Sequence, residues 1–161
     1  MKNLVQHIQE KLVIKKDKGP KHTLFPKTKE ELEKMIDSEI EKNGNECSLN
    51  HIDVSEVTNM KDLFSCDQYG LGVEYNDLNP DISKWNVSNA KYMAVMFYKC
   101  FNFNCDISEW DVSNVTSMYK MFYECKNFAQ DISEWVVSNA NDMESMFYGC
   151  KKFSNLRLNA G

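Results

Sequence analysis

The sequence predicts an α/β repeat fold: a short curved solenoid with one strand and one helix in each 25-residue repeat, closed at its N-terminal end by a helical cap. Three observations lead there. Shifting the chain by 25 residues superimposes DISKWNVSNAKYMAVMFYKCFNFNC from Asp81, DISEWDVSNVTSMYKMFYECKNFAQ from Asp106 and DISEWVVSNANDMESMFYGCKKFSN from Asp131. The hydrophobic period changes within each copy, from alternation at Trp110 and Val112 to spacings of three and four at Met118, Met121, Phe122 and Cys125. A unit this small cannot cover its own apolar face, so neighbouring copies must stack and share one core.

Each element follows in chain order. Leu4, Val5, Ile8 and Leu12 suggest a short helix, and Lys15–Lys21 reads as a charged linker. Thr28, with Glu31 three residues later, forms a capping box that opens a helix with the apolar stripe Leu32, Met35, Ile36 and Ile40, and Gly44 ends it. Residues 1–48 thus form the cap region, and 49–161 the repeats. A degenerate copy spans 49–66, where Val54, Met60, Leu63 and Phe64 keep the repeat columns, and 67–80 is an inserted loop. Full copies occupy 81–105, 106–130 and 131–155, and 156–161 forms the C-terminal end, with a last strand at 155–158. Parallel strands ~4.8 Å apart against helices ~8–10 Å apart would bend the stack, with strands on the inner wall. Helix breadth would also hold Cys100, Cys125 and Cys150 beyond the ~7 Å Cα limit for a disulfide.

Composition excludes several function classes. The chain has 161 residues, 42% of them hydrophobic, and no apolar stretch near the ~20 residues of a membrane span, so one soluble domain without membrane insertion is expected. Net charge is −5, and residues 49–161 alone carry nine basic against fifteen acidic side chains. That sign disfavours nucleic acid, whose affinity rests on basic groups, and likewise an anionic membrane. The first fourteen residues hold no secretion signal, which places the chain as written in the cytoplasm. Six cysteines without a CxxC pair read there as reduced thiols.

The copies from Asp81 to Phe153 resemble the BspA-like leucine-rich repeat surface proteins of bacteria, whose repeats have the form DISxWDVSNVTxMxxMFxxCxxFNQ. The segment FPKTKEELEKMIDSEIEKNG with LNHIDVSEVTNM is similar to the lead-in of such arrays, so the resemblance covers roughly residues 24–154. It implies a leucine-rich-repeat-like solenoid, no cofactor, and binding to proteins or surfaces, as adhesins in some relatives. It also implies a cell-surface or secreted location as the alternative to the cytoplasm. The chain departs from the family in lacking a secretion signal and in carrying three full repeats where many relatives carry more.

The candidate sites weigh chemistry against structure. Asp81, Asp106 and Asp131 could form a cation ladder, but a short carboxylate before Ile-Ser more simply satisfies turn backbone. Asn89, Asn114 and Asn139, with Ser88, Ser113 and Ser138, read as helix caps or an internal polar ladder, and the Met and Phe columns as core. Cys100, Cys125 and Cys150 read as small buried apolar groups, whereas Cys105, standing in the family's Gln position, is expected to be more exposed. His7, His22 and His51 sit in no ligand pattern, so catalytic, cofactor-binding and metal-binding residues are all read as none.

Two surfaces remain for recognition. On helical geometry Tyr98, Tyr123 and Tyr148 should form a row about 140° from the core stripe, either as contact residues or as packing between adjacent helices. On the strand face Lys84, Asn86, Glu109, Asp111, Glu134 and Val136 vary between copies and are free to specify a partner, although a solvated face is the simpler reading. The expected function is a non-enzymatic protein–protein interaction module with a partner of unknown identity. A surface adhesin fragment or a purely structural repeat protein is the alternative, and end-to-end homodimerisation through the terminal repeats is conceivable.

Overall fold

Residues 21–66 and 77–153 are described in a computed structural model of the chain. The expected helix at Leu4–Leu12, nearly all of the charged linker, most of the inserted loop and the last strand at 155–158 lie outside these residues. The single α-helix among the described residues, α1 (Lys29–Asn43), starts where its capping box puts it. The Thr28 hydroxyl accepts the Glu31 N–H at 3.2 Å, and the Glu31 carboxylate accepts the Lys27 N–H at 2.8 Å. At the other end Gly44, with φ of 85°, turns its N–H onto the Ile40 carbonyl at 2.8 Å. Leu32, Ile36 and Ile40 face inward and share one core with Leu49 and Ile52. The pairs Lys29–Asp62 (3.9 Å) and His51–Glu39 (3.4 Å) tie the helix to the first repeat.

The repeats correct the expected fold class. Among the described residues they contain neither the predicted strand nor the predicted helix; each is a coil of tight turns, touching the next through isolated parallel bridges, Asn59 to Tyr92 to Ser117 to Asp142. Where alternation at Trp110 and Val112 suggested a strand, two Asx turns follow one another. Asp106 Oδ1 accepts the Ser108 N–H and hydroxyl at 3.1 and 2.7 Å, and Asp111 Oδ1 accepts the Ser113 N–H at 3.0 Å. Each leads into a three-residue turn, with Trp110 N–H on Ile107 O and Val115 N–H on Val112 O. Ile107, Trp110, Val112 and Val115 therefore point inward without belonging to a strand.

Spacings of three and four arise in the second half from turns as well. Met121, Tyr123 and Cys125 donate their N–H to the carbonyls three residues back, at 3.0, 3.1 and 2.9 Å. Met118, Lys120, Phe122 and Glu124 donate instead to Asp142, Glu144, Met146 and Tyr148 of the next coil. The same alternation links Met93, Val95, Phe97 and Lys99 to Ser117, Tyr119, Met121 and Tyr123. A continuous α-helix would spend nearly all of its interior N–H groups on itself and keep its neighbours ~8–10 Å away. Sending every second N–H across to the next coil permits ~4.8 Å, the spacing of a parallel ladder.

Positive φ is the cost of this arrangement. Val95, Lys120 and Ser145 share one column near 50–56°, and Lys99, Glu124 and Gly149 share another four residues later. A left-handed residue other than glycine costs about 1–2 kcal/mol. Burial of Met121 and Phe122, worth about 1.5–3 kcal/mol each, offsets it, together with inter-coil bonds of about 0.5–1.5 kcal/mol. Glu124→Gly is accordingly expected to raise stability by roughly 0.5–1 kcal/mol in urea unfolding, because glycine already holds that column at position 149. In the helix expected from sequence the same change would cost roughly 1 kcal/mol, so the sign of the shift distinguishes the two structures.

The core is a set of columns running coil to coil. Phe64, Phe97, Phe122 and Phe147 stack nearly parallel with centroids 5.5, 5.5 and 5.7 Å apart, and Phe103 and Phe128 flank them. Indole N–H groups bind backward across coils, Trp85 to Leu49 O, Trp110 to Ile82 O and Trp135 to Ile107 O. This spacing removes the cause of curvature read from the sequence, since no wall of helices stands broader than its opposite. The helix breadth that set the expected cysteine separation is absent from the described coils as well.

Candidate functional site

Most of the polar columns are committed to structure. Asp81, Asp106 and Asp131 each accept from the serine two residues on, at 3.1, 3.1 and 3.0 Å, as turn capping requires. Asn89, Asn114 and Asn139 donate to Ser55 O, Ser88 O and Ser113 O of the preceding coil at 2.8, 2.8 and 2.7 Å, forming a polar ladder; the helix-cap alternative goes with the helix. No group of three potential metal ligands lies together among the described residues.

The six residues expected on a strand face are all exposed, but they do not form one equivalent set. Asn86 and Asp111 head Asx turns, holding the Ser88 and Ser113 N–H groups at 3.2 and 3.0 Å. Val136 stands in their column without a carboxylate and is 58% exposed. Lys84, Glu109 and Glu134 occupy the neighbouring exposed column, with the Lys84 backbone N–H held by Asn50 Oδ1 at 2.8 Å. With no strand in the repeats among the described residues there is no strand face there, and these residues ride on turns.

The tyrosines do form a row. Tyr98, Tyr123 and Tyr148 stack face to face with centroids 5.0 and 4.9 Å apart and planes within 18° and 17°. Coil register aligns them, rather than the helical angle from which the row was first deduced. Tyr98 and Tyr123 are half-buried, and Tyr148 is 61% exposed. The row thus packs coil on coil while keeping its outer edges open. Lysines complete the strip: Lys99 Nζ lies 5.0 Å from the Tyr98 ring, and Lys120 Nζ lies 4.9 Å from Tyr119 and 5.4 Å from Tyr123. Tyr119 and Lys120 were missed in the sequence, because neither recurs in its column.

A family model described as "Mycoplasma protein of unknown function, DUF285" matches residues 30–160. The chain belongs to this family. No curated protein and no solved structure matches it. The matched span of this DUF285 chain takes in nearly all of α1, the four coils and the tyrosine row.

Electrostatics in the DUF285 chain follow its turns and its core. At Asp106 and Asp111 the serine hydroxyl and then its N–H hold the carboxyl below its usual range; at Asp131 the Ser133 N–H leads. Burial pushes Asp81 upward, but bonds from Ser83, Asn50 and Ser48 outweigh it and the net direction is down. Groups lowered on folding stabilise the native state above the ordinary aspartate value of about 3.9, and that stability is lost as pH falls through their native values. The thermal midpoint should therefore hold level down to about pH 5 and drop below about pH 4. Ser108→Ala should flatten that drop.

Cysteine burial follows the expected order. Among Cys100, Cys105, Cys125 and Cys150, Cys105 is the most exposed, as expected, but at 9% it is still buried, and its sulfur accepts the Ile82 N–H at 3.4 Å. Burial pushes its thiol up to about 11, and that of Cys150 to about 11 as well. Desolvation likewise raises Cys100 and Cys125 well above the ordinary thiol value. Such thiols react poorly at neutral pH with reagents arriving from solvent, so a reaction at one of them needs an electrophile already held against its sulfur.

Proposed function

We propose that the chain is a non-enzymatic protein-binding module whose contact surface is the strip formed by Tyr98, Tyr123 and Tyr148 with Tyr119, Lys99 and Lys120. The stacked tyrosine row carries this reading. Its rings are held by one another before a partner arrives, so little side-chain entropy remains to be lost, and aromatic rings rimmed by cations are common anchors at interfaces. The lysines favour a partner surface bearing carboxylates. Resemblance of the repeats to BspA-like proteins, which implies binding to proteins or surfaces, supports the same class of function. Lys84, Glu109 and Glu134 are a secondary contact surface on this reading.

An end-to-end homodimer has less support. Along the bridged wall the N–H groups of Met118, Lys120, Phe122 and Glu124 point to the following coil, while those of Lys91, Thr116 and Asn141 point to the preceding one, so two copies meeting by the same end would not repeat this head-to-tail register. At the other end α1 covers the first coil.

Crosslinking and mass spectrometry from native cells should identify a partner joined near residues 98–148. Binding of that partner should weaken at least tenfold in the exposed-ring variant Tyr148→Ala, with only a small fall in the melting midpoint, since this ring stacks on one neighbour alone among the described residues. Equal binding by Tyr148→Ala and Lys120→Ala would exclude the strip.

A further inference from the structure

The cysteine column begins with a residue out of register. Cys100, Cys125 and Cys150 donate to the carbonyls of Phe64, Phe97 and Phe122 in the preceding coil, at 2.8, 2.9 and 2.8 Å. The first coil is one residue shorter at this point, Phe64-Ser65-Cys66 against Phe97-Tyr98-Lys99-Cys100. Cys66 consequently takes the backbone place of Lys99, with its own N–H on Tyr98 O at 2.9 Å. Its side chain nevertheless reaches the column: Cys66 Sγ lies 2.9 Å from Cys100 Sγ and 3.6 Å from the Phe64 carbonyl oxygen. That separation is less than an ångström beyond a disulfide bond of about 2.05 Å. Cys66 is half-buried, whereas Cys100 is wholly enclosed.

We propose that Cys66 and Cys100 are a redox-active pair that closes to an inter-coil disulfide, with a hydroperoxide as the oxidant. Access orders the steps, because the oxidant meets the Cys66 sulfur first. The Cys66 thiolate attacks one peroxide oxygen and the O–O bond breaks; with hydrogen peroxide the departing hydroxide takes up a proton as water and leaves a sulfenic acid. The Cys100 sulfur then attacks the Cys66 sulfur, the S–O bond breaks as the S–S bond forms, and the hydroxide takes the Cys100 proton as a second water. Two thiols lose two electrons, and one hydrogen peroxide gains them. The S–H of Cys100 is aimed at the Phe64 carbonyl, which leaves a sulfur lone pair free to face Cys66. Closure joins the first coil, with α1 on it, to the second, and encloses the inserted segment 67–80 within one covalent loop.

The test uses the full chain treated with hydrogen peroxide, followed by alkylation after unfolding and non-reducing peptide mapping. Expected is one linked peptide pair containing Cys66 and Cys100, two hydrogens lighter than the dithiol, together with a reversible rise of roughly 5 °C or more in the melting midpoint. Cys125→Ser should keep both effects, and Cys66→Ser should lose both while staying folded. A sulfinic acid at Cys66 with Cys100 still alkylated, or a link between Cys100 and Cys125, would overturn the proposal.

Discussion

Phe122→Ala should lower stability by about 3–5 kcal/mol, the largest loss expected from a single truncation in this chain. Phe122 is fully buried and sits between Phe97 and Phe147 in the ring stack, with Phe128 4.3 Å to its side. Its removal leaves a gap that the neighbours cannot close, because each is fixed to an adjacent coil by backbone bonds such as Phe97 N–H to Met121 O. Native domains hold only about 5–15 kcal/mol in total, so the urea midpoint should fall steeply, or the chain should fail to fold. A loss under about 1 kcal/mol would mean that the stack is not the core.

Lys120→Pro should cost about 3 kcal/mol or more, although the lysine is only half-buried and its ammonium lies outside the core. Proline removes the N–H that binds Glu144 O at 3.0 Å, and its ring holds φ near −65° where this backbone needs 51°. Lys120→Ala keeps the N–H and should lose far less. A comparable loss for the two variants, measured in urea, would point to the side chain rather than the backbone.

Some of the chain could be read without coordinates. The ends of α1 were legible because capping is local: Thr28, Glu31 and Gly44 lie within a turn of the groups they satisfy. The repeat columns were legible too, since identical residues 25 apart report which side chains share an environment. Aspartates before Ile-Ser read correctly as turn residues; the same logic applied to Asp111 and Asn86 would have dissolved the strand, for they too precede a serine by two. The helix was misread for a different reason. Met118, Met121, Phe122 and Cys125 have helical spacing, yet successive three-residue turns bury the same positions, and no glycine in the first two full copies announces the left-handed residues. The relative exposure of Cys105 was legible as a departure from the repeat column, but not its contact with the Ile82 N–H, which comes from the preceding coil.

The sequence alone determined which residues lie side by side, because a repeat makes neighbours of equivalent positions whatever their local conformation. Only the tertiary structure decided what that conformation is. An isolated repeat would satisfy its backbone best as a helix; stacked coils at ring-stacking distance instead receive half of their backbone hydrogen bonds from one another along this wall, enough to hold lysine, valine and glutamate in conformations they avoid when alone.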